Sequence, residues 1–220
     1  MHILPSLVLQ GLLQISNMGS IAPKQVPVAL DQEGPIYFGY GSNLWKHQME
    51  MRCPDSKYIG LARLNGYRWH INDRHYANVA EVNASDSSDS SKTHSFGLVY
   101  ALSETDEAAL DINEGVPFAY TKEHLEVDFW PLGDGKEPID IEQPVTKVKM
   151  LVYINRNMTT DSSPKKEYIY RMNKGIDDAE AAGVPKTYID QTIRKFIPAE
   201  HDESAERLAK QQALNFVEEN

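Results

Sequence analysis

The sequence of 220 residues is poor in cysteine and in positive charge, and it has no long apolar run. Its single cysteine, Cys53, cannot form an internal disulfide, so a disulfide-stapled fold is excluded and a reducing compartment is expected. Lysine and arginine number 22 against 32 aspartates and glutamates. The net charge of −10 disfavours nucleic acid and membrane surfaces as partners. Histidine and cysteine lack the spacing of a zinc site, so we expect no metal.

An apolar run near the N-terminus is too short to cross a membrane. It covers residues 3–13 and is interrupted by proline, glutamine and glycine, whereas a spanning helix needs about 20 apolar residues. No basic residue precedes Lys24, so the run lacks the charged start of a secretory signal. We expect a cytoplasmic protein in which residues 1–35 form a poorly structured extension.

Short apolar or alternating runs through the first two thirds of the sequence predict β-strands. We place them at residues 36–40, as a meander within 57–82, and at 95–102, 120–130 and 145–154. Residues 83–95 (NASDSSDSSKTHS) carry almost no apolar side chain and predict a flexible loop.

Helical patterns occur at two places among the predicted strands and then dominate the last third of the sequence. Helices are predicted at about 44–51 with Ser42 or Asn43 as the cap, at 104–113, after Pro164, at about 186–196, and as an amphipathic C-terminal helix at 199–220. Ser103 and Asp106 form a capping box for the second of these helices. Strands and helices alternate too rarely for a doubly wound sheet, so the pattern predicts an α+β domain over residues 36–198.

Two segments have the composition of a reactive site. A strand that ends in Gly-Ser-Asn at residues 41–43 leaves backbone N–H groups that bind carboxylates and oxyanions, although an ordinary turn has the same composition. Glu114 lies at the end of the predicted helix 104–113, where the helix dipole disfavours a negative charge. A carboxyl group placed there has the raised pKa of a general acid or base, provided that it is also desolvated.

Several segments together resemble the γ-glutamylcyclotransferase family, which has the AIG2-like fold. They are YFGYGSNL at 37–44, LARL at 61–64, GLVY at 97–100, LDINEGV at 110–116, PKKEY at 164–168 and GVP at 183–185. The resemblance implies a small mixed, largely antiparallel β-barrel flanked by α-helices, with no cofactor. The implied reaction cyclises a γ-glutamyl group to 5-oxoproline and releases the attached amine.

The resemblance also assigns roles to individual residues. Glu114 would be the catalytic acid/base. The glutamyl group would bind to the backbone of Tyr40, Gly41, Ser42, Asn43 and Leu44, and Tyr120 and Tyr168 would line the pocket. The implied partner is a small γ-glutamyl substrate, and a homodimer is left open.

Three functions fit this pattern. The first is a cyclotransferase that acts on γ-glutamyl amino acids. The second performs the same chemistry on a glutathione S-conjugate or a γ-glutamylated biosynthetic intermediate. The third is a non-catalytic regulatory domain on the same fold, which the presence of both Glu114 and the glycine loop disfavours.

Overall fold

The computed structural model describes residues 34–83, 93–133, 136–199 and 207–209. The strands in this part are β1 (Ile36–Gly39), β2 (Lys57–Asn65), β3 (Tyr67–Ile71), β4 (Ala77–Glu81), β5 (His94–Ala101), β6 (Thr121–Pro131) and β7 (Thr146–Ile154). The helices are α1 (Lys46–Arg52), α2 (Glu104–Asn113), α3 (Lys166–Ala182) and α4 (Lys186–Gln191), with short 3₁₀ turns at Ser42–Leu44 and Ile193–Lys195.

Five of the strands close into a barrel in the order β1-β5-β2-β6-β7. The seam between β1 and β7 is parallel, with Tyr37 opposite Leu151, and the other pairs are antiparallel. The expected α+β class and the mixed, largely antiparallel barrel are therefore confirmed. Every strand contributes fully buried apolar side chains to the core, and these include Phe38, Leu61, Leu98, Phe129 and Met150.

The predicted meander at 57–82 is divided between two sheets. Its first strand, β2, belongs to the barrel, while β3 and β4 form a separate two-stranded hairpin. The division occurs at Gly66, whose φ of +79° allows a sharp change of chain direction. The hairpin places its own turn, residues 72–76, beside the functional cavity described below.

Helix α2 begins and ends as its sequence predicts. The Ser103 hydroxyl accepts a hydrogen bond from the Asp106 N–H (3.1 Å), and the Asp106 carboxylate accepts one from the Ser103 N–H (3.1 Å). Asn113 is its last residue, Glu114 is the C-cap, and Gly115 follows with a φ of +64°. The capping box and the glycine stop therefore fix where Glu114 stands relative to the barrel.

The predicted cap of the helix at 44–51 is wrong. The chain first makes the 3₁₀ turn Ser42–Leu44, and α1 then starts after Trp45 without a side-chain cap. The side chains of Ser42 and Asn43 cannot cap this helix because both take part in a buried hydrogen-bond network with Gln48.

Helix α3 covers the 3₁₀ turn, with Gly175 against Leu44. After it, Pro185 precedes α4, which is shorter than predicted and continues as the turn Ile193–Lys195. Of the predicted C-terminal helix, residues 207–209 are described and helical, and Ala209 packs near Trp45.

Some sequence predictions concern parts of the chain outside the described residues. Residues 1–33 of the predicted extension, residues 84–92 of the predicted loop and most of 199–220 lie there. At its described end, the predicted loop is wrong by two residues, because β5 already begins at His94. No helix in the described ranges is both long and apolar enough to cross a bilayer.

Candidate active site

A cavity of about 540 Å³, including its open mouth, lies where β1, the β3–β4 turn, the end of α2 and the start of α3 meet. Loop residues 40–43 line it, together with Glu114, Tyr120 and Tyr168. Seven of the eight residues singled out from the sequence therefore face one space, although they are spread over 129 positions of the chain, from 40 to 168.

Leu44 is the eighth, and the structure places it elsewhere. Its side chain is buried in the core beside Gly175. Its N–H donates to the Gly41 carbonyl at 2.9 Å, which closes the 3₁₀ turn. Its backbone N–H and its side chain are therefore both engaged within the fold, and the prediction that Leu44 binds substrate gains no support from its position. Its role in the motif is to anchor the loop to α3.

The loop after β1 presents two uncommitted backbone donors. Within the described chain, the N–H groups of Gly41 and Asn43 have no hydrogen-bond acceptor, while the Ser42 N–H donates to the Tyr168 hydroxyl (3.1 Å). A Cβ atom on Gly41 would lie 2.9 Å from that hydroxyl and 3.3 Å from the Ala77 Cβ. Glycine therefore keeps this cradle of amides open, and such cradles suit carboxylates and oxyanions.

The Tyr168 hydroxyl is arranged as a donor toward the cavity. Its oxygen accepts hydrogen bonds from the backbone N–H groups of Ser42 (3.1 Å) and Ala77 (3.2 Å). A hydroxyl has two acceptor sites and one hydrogen, so both acceptor sites are occupied and the hydrogen remains for a ligand. Burial raises the pKa of Tyr168, so it keeps that hydrogen at neutral pH.

Tyr120 and Tyr40 line the cavity with their rings, but their hydroxyl hydrogens are already used. The Tyr120 hydroxyl donates to the Ala77 carbonyl (2.9 Å) and accepts from the Asn72 side chain (3.4 Å). The Tyr40 hydroxyl donates to the Tyr153 carbonyl (2.6 Å). Both tyrosines tie neighbouring elements together around the cavity, and the hairpin carrying Ala77 is held in place by Tyr120.

Glu114 has one fixed and one open carboxylate oxygen. Its Oε1 accepts a hydrogen bond from Asn43 Nδ2 (3.2 Å), whereas Oε2 has no donor among the described residues. The side chain is only half-buried because it faces the open cavity, yet protein surrounds it on the other sides. This burial raises the pKa of Glu114, against the opposing effects of Arg52, Arg171 and the Asn43 hydrogen bond. The sequence correctly predicted that the pKa of Glu114 is raised. Burial, rather than the position at the helix end, is the main cause of the rise.

Sequence reasoning did not find the network that orients Asn43. Asn43 Oδ1 accepts from Gln48 Nε2 (2.7 Å) and from Arg52 Nη1 (3.4 Å), which turns the amide so that Nδ2 faces Glu114. Gln48 is fully buried and also donates to Ser42 Oγ (3.0 Å). A single glutamine in a short helix gives no sequence signal of this kind.

A buried ion pair supports the same loop from α3. Arg171 donates from Nε to Glu167 Oε2 (3.0 Å) and from Nη1 to Ser42 Oγ (3.1 Å). The i,i+4 spacing of Glu167 and Arg171 could have suggested a pair, and its place beside the apolar stripe of α3 could have suggested burial. Burial and the neighbouring Arg171 lower the pKa of Arg52 to about 10. Two cations thus approach each other under the loop.

The single thiol takes no part in this arrangement. Cys53 is fully buried, and burial together with the Asp106 carboxylate raises its pKa to about 12. A thiol with such a pKa is protonated and packs as a small apolar side chain at neutral pH. Across the part of the chain that the structure describes, no three histidine, cysteine, aspartate or glutamate side chains are grouped as metal ligands.

Solved structures resemble this one mainly in their fold. A gamma-glutamyl cyclotransferase superimposes with a TM-score of 0.57 at 19% identity, covering 80% of this chain and 98% of the other. The human protein loc79017 superimposes with a TM-score of 0.56 at 18% identity, covering 81% of this chain and 99% of the other. YkqA from Bacillus subtilis superimposes with a TM-score of 0.53 at 16% identity, covering 77% of this chain and 56% of its own length. At these identities the likeness establishes the fold alone.

Sequence comparison is more specific. A search of curated proteins finds no match. The sequence profile of the family described as "Gamma-glutamyl cyclotransferase, AIG2-like" matches residues 37–182, well over half of the chain. This range contains the amide cradle, Glu114, Tyr168 and the supporting Arg171, so the match includes the cavity as well as the barrel. The chain therefore belongs to the gamma-glutamyl cyclotransferase, AIG2-like family.

Proposed function

We propose that this protein is a γ-glutamylcyclotransferase that converts a γ-glutamyl amine to 5-oxoproline and the free amine. One observation carries the proposal. The open Oε2 of Glu114 faces the same cavity as the uncommitted N–H groups of Gly41 and Asn43 and the hydroxyl hydrogen of Tyr168. A proton carrier and a set of fixed donors are the two components that an intramolecular acyl transfer needs.

The reaction exchanges one amide for another within the substrate. The α-amine nitrogen bonds to the γ-carbonyl carbon, and the bond from that carbon to the leaving nitrogen breaks. Overall, two protons pass from the substrate ammonium to the leaving amine, and no water or redox partner is consumed. Because both reacting groups belong to one molecule, holding the substrate curled removes much of the entropic barrier.

Glu114 is suited to carry a proton between these nitrogens. A carboxylate with a raised pKa accepts a proton from the substrate α-ammonium more readily than an ordinary one does, because the two pKa values are closer. The protonated acid then donates to the leaving nitrogen. Asn43 holds Oε1, so Oε2 is the oxygen assigned to both steps.

The cradle would bind the glutamyl half and stabilise charge. The amides of Gly41 and Asn43 supply donors for the substrate carboxylate or for the oxyanion that forms during attack. Tyr168 adds a third donor from α3. The positive potential of Arg52 and Arg171 below the loop strengthens the same interaction. The substrate is thus a small anionic molecule, and the proposed compartment is the cytoplasm.

A substrate panel tests this function. The protein is incubated with γ-glutamyl-alanine, γ-glutamyl-lysine, glutathione and a bulky glutathione S-conjugate, and 5-oxoproline is followed by mass spectrometry. Preference for the last substrate would favour the biosynthetic alternative over a cyclotransferase for γ-glutamyl amino acids. The absence of product from all four, in protein whose fold is verified by circular dichroism, would favour the regulatory function.

The matched control is Glu114→Gln, which keeps the size and the acceptor for Asn43 while removing the proton carrier. We expect turnover to fall by at least about two orders of magnitude, the usual contribution of a positioned acid/base. A variant within tenfold of the wild type would remove Glu114 from the mechanism.

A further inference from the structure

Three side chains fasten the helix that precedes Glu114 to the barrel. The Asp111 carboxylate, in the last turn of α2, accepts a hydrogen bond from the Tyr153 hydroxyl at Oδ1 (2.8 Å) and one from Lys122 Nζ at Oδ2 (2.8 Å). Tyr153 on β7 and Lys122 on β6 are directly opposite each other in the strand register, so their side chains lie on the same face of the sheet. One cross-strand pair therefore holds both oxygens of a single helix residue. Asp111, Tyr153 and Lys122 are termed the α2 clamp.

The α2 clamp lies one helical turn before Glu114. Residues three positions apart in a helix lie on the same side of it. The backbone between them is also fixed, because the Glu114 N–H donates to the Leu110 carbonyl (2.8 Å). The Val116 N–H donates to the Asp111 carbonyl (2.9 Å). Holding the Asp111 side chain against the barrel thus determines where the Glu114 side chain leaves the chain.

Tyr153 also contacts residues on the cradle side of the cavity. Its carbonyl accepts a hydrogen bond from the hydroxyl of Tyr40, where the cradle loop starts (2.6 Å). Its ring lies edge-on to the Tyr37 ring, with 5.6 Å between the ring centres, and the Tyr37 hydroxyl accepts from Asn43 Nδ2 (2.9 Å). Tyr153 is 2% exposed and lines the cavity. It therefore connects the helix of the acid with the loop that carries the amide donors.

The hydrogen bond from Tyr153 keeps one direction at neutral pH. Burial raises the pKa of Tyr153, and the hydrogen bond to Asp111 acts in the same direction, so the phenol stays protonated and remains a donor. The Lys122 ammonium is shared between Asp111 and Glu107 (2.9 Å), which lies one turn earlier in α2. A carboxylate whose two oxygens each accept from a positioned donor has a fixed orientation.

We infer that Asp111 is a positioning residue which, held by Tyr153 and Lys122, sets the distance between the Glu114 carboxylate and the amide cradle. The inference rests on the proposed cyclotransferase function. Glu114 has to exchange protons with two nitrogens bonded to one carbon while the cradle holds the same substrate. A displacement of about 1 Å can lower the rate of such a step by about 10²-fold. Loss of the α2 clamp should therefore slow the chemistry and leave substrate binding by the cradle in place.

Two substitutions remove the α2 clamp from its two ends. Tyr153→Phe deletes only the hydroxyl and keeps the carbonyl that binds Tyr40, whereas Asp111→Ala deletes the carboxylate. The constants kcat and KM for 5-oxoproline formation from γ-glutamyl-alanine are measured for the wild type, the two variants and the double variant. Glu126→Gln is the matched control. It removes an exposed ion pair with Lys147 that joins the same two strands and does not line the cavity.

We expect kcat to fall by about tenfold in Tyr153→Phe and by up to about 10²-fold in Asp111→Ala, with KM within about threefold of the wild type. The double variant should be no slower than Asp111→Ala, because both substitutions break the same bond. Asp111→Asn, which retains an acceptor oxygen for Tyr153, should recover part of the lost rate. Glu126→Gln should keep both constants.

The possible results separate this inference from the function on which it rests. A raised KM with an unchanged kcat, or single losses that multiply in the double variant, would overturn the positioning role of Asp111 and leave the cyclotransferase intact. A kcat of Tyr153→Phe within about twofold of the wild type would do the same, and this conservative variant decides the matter if Asp111→Ala does not fold. No 5-oxoproline from any substrate of the panel in the wild type would instead overturn the proposed function.

Discussion

The carboxyl group of Glu114 links stability and chemistry at the scale of a single residue. Burial raises its pKa, so the folded protein favours the protonated form more than the unfolded chain does. A group of this kind contributes stability that is fully present below its unfolded pKa, about 4.3 for glutamate. That contribution is lost as the pH rises through the folded pKa, because ionisation then acts against folding.

Glu114→Gln should therefore change how stability depends on pH. The variant has no ionisable group at this position, so its unfolding free energy should fall less than that of the wild type between pH 4 and pH 8. We expect the variant to gain stability relative to the wild type as the pH rises. Urea titrations at several pH values measure this difference. Parallel stability curves for the two proteins would show that Glu114 does not carry a raised pKa.

Two of the tyrosines that line the cavity, Tyr168 and Tyr120, differ in what their hydroxyl hydrogens do, and this predicts different phenotypes. Tyr168→Phe removes the donor directed at the ligand and leaves the N–H groups of Ser42 and Ala77 without their acceptor. We expect a KM raised by about tenfold together with a stability loss of roughly 1–3 kcal/mol. Tyr120→Phe removes a bond to the Ala77 carbonyl, so it should lower stability with kcat/KM within threefold.

Steady-state kinetics and urea unfolding on both variants provide the comparison. An unchanged KM in Tyr168→Phe would exclude its role in binding. A larger kinetic loss in Tyr120→Phe than in Tyr168→Phe would reverse the assignment.

At the scale of elements, the 3₁₀ turn, α1 and α3 act together to orient one amide. Gln48 of α1 donates to Asn43 Oδ1 (2.7 Å) and accepts from Arg171 of α3 (3.4 Å). Asn43 in turn donates to Glu114, and this bond lowers the pKa of that carboxyl group. The pKa of Glu114 thus depends on a residue, Gln48, that does not line the cavity.

Gln48→Leu should move the pH dependence of catalysis. Without the donor from Gln48, the Asn43 amide loses its fixed orientation and its bond to Glu114 weakens, so the pKa of Glu114 should rise further. We expect the acidic limb of the kcat/KM profile to shift to higher pH. Gln191→Leu, at an exposed position of α4, is the control and should keep the wild-type profile. A reduced rate with an unshifted profile in Gln48→Leu would indicate a structural role alone.

The same elements show where sequence reasoning succeeds. The strands predicted at 36–40, 95–102, 120–130 and 145–154 match β1, β5, β6 and β7 to within one residue, because alternation of apolar side chains is a local property. Helix α2 has the predicted bounds because its capping box is also local. The predicted cap of α1 is wrong because Ser42 and Asn43 are engaged by residues that folding brings close, Arg171 and Arg52.

At the scale of the whole molecule, the barrel brings together a site that the chain order scatters. The family resemblance pointed to Glu114, the loop at residues 40–43 and two tyrosines. The structure places all of them in one cavity. Local patterns could not reveal that Leu44 points into the core or that Arg52, Arg74 and Arg171 share the cavity. Such facts follow from strand order, including the parallel pairing of β1 with β7, which depends on residues more than 100 positions apart.

The hydroxyl of Tyr168 has a consequence for folding during synthesis. It joins backbone groups that lie 126 and 91 positions earlier in the chain. Most of the residues that line the cavity therefore precede α3 in the chain, and Tyr168 and Arg171 of α3 are the last of them. Under the proposed function, a polypeptide in which α3 has not yet docked would hold Glu114 and the glycine loop without the complete cavity that cyclisation needs.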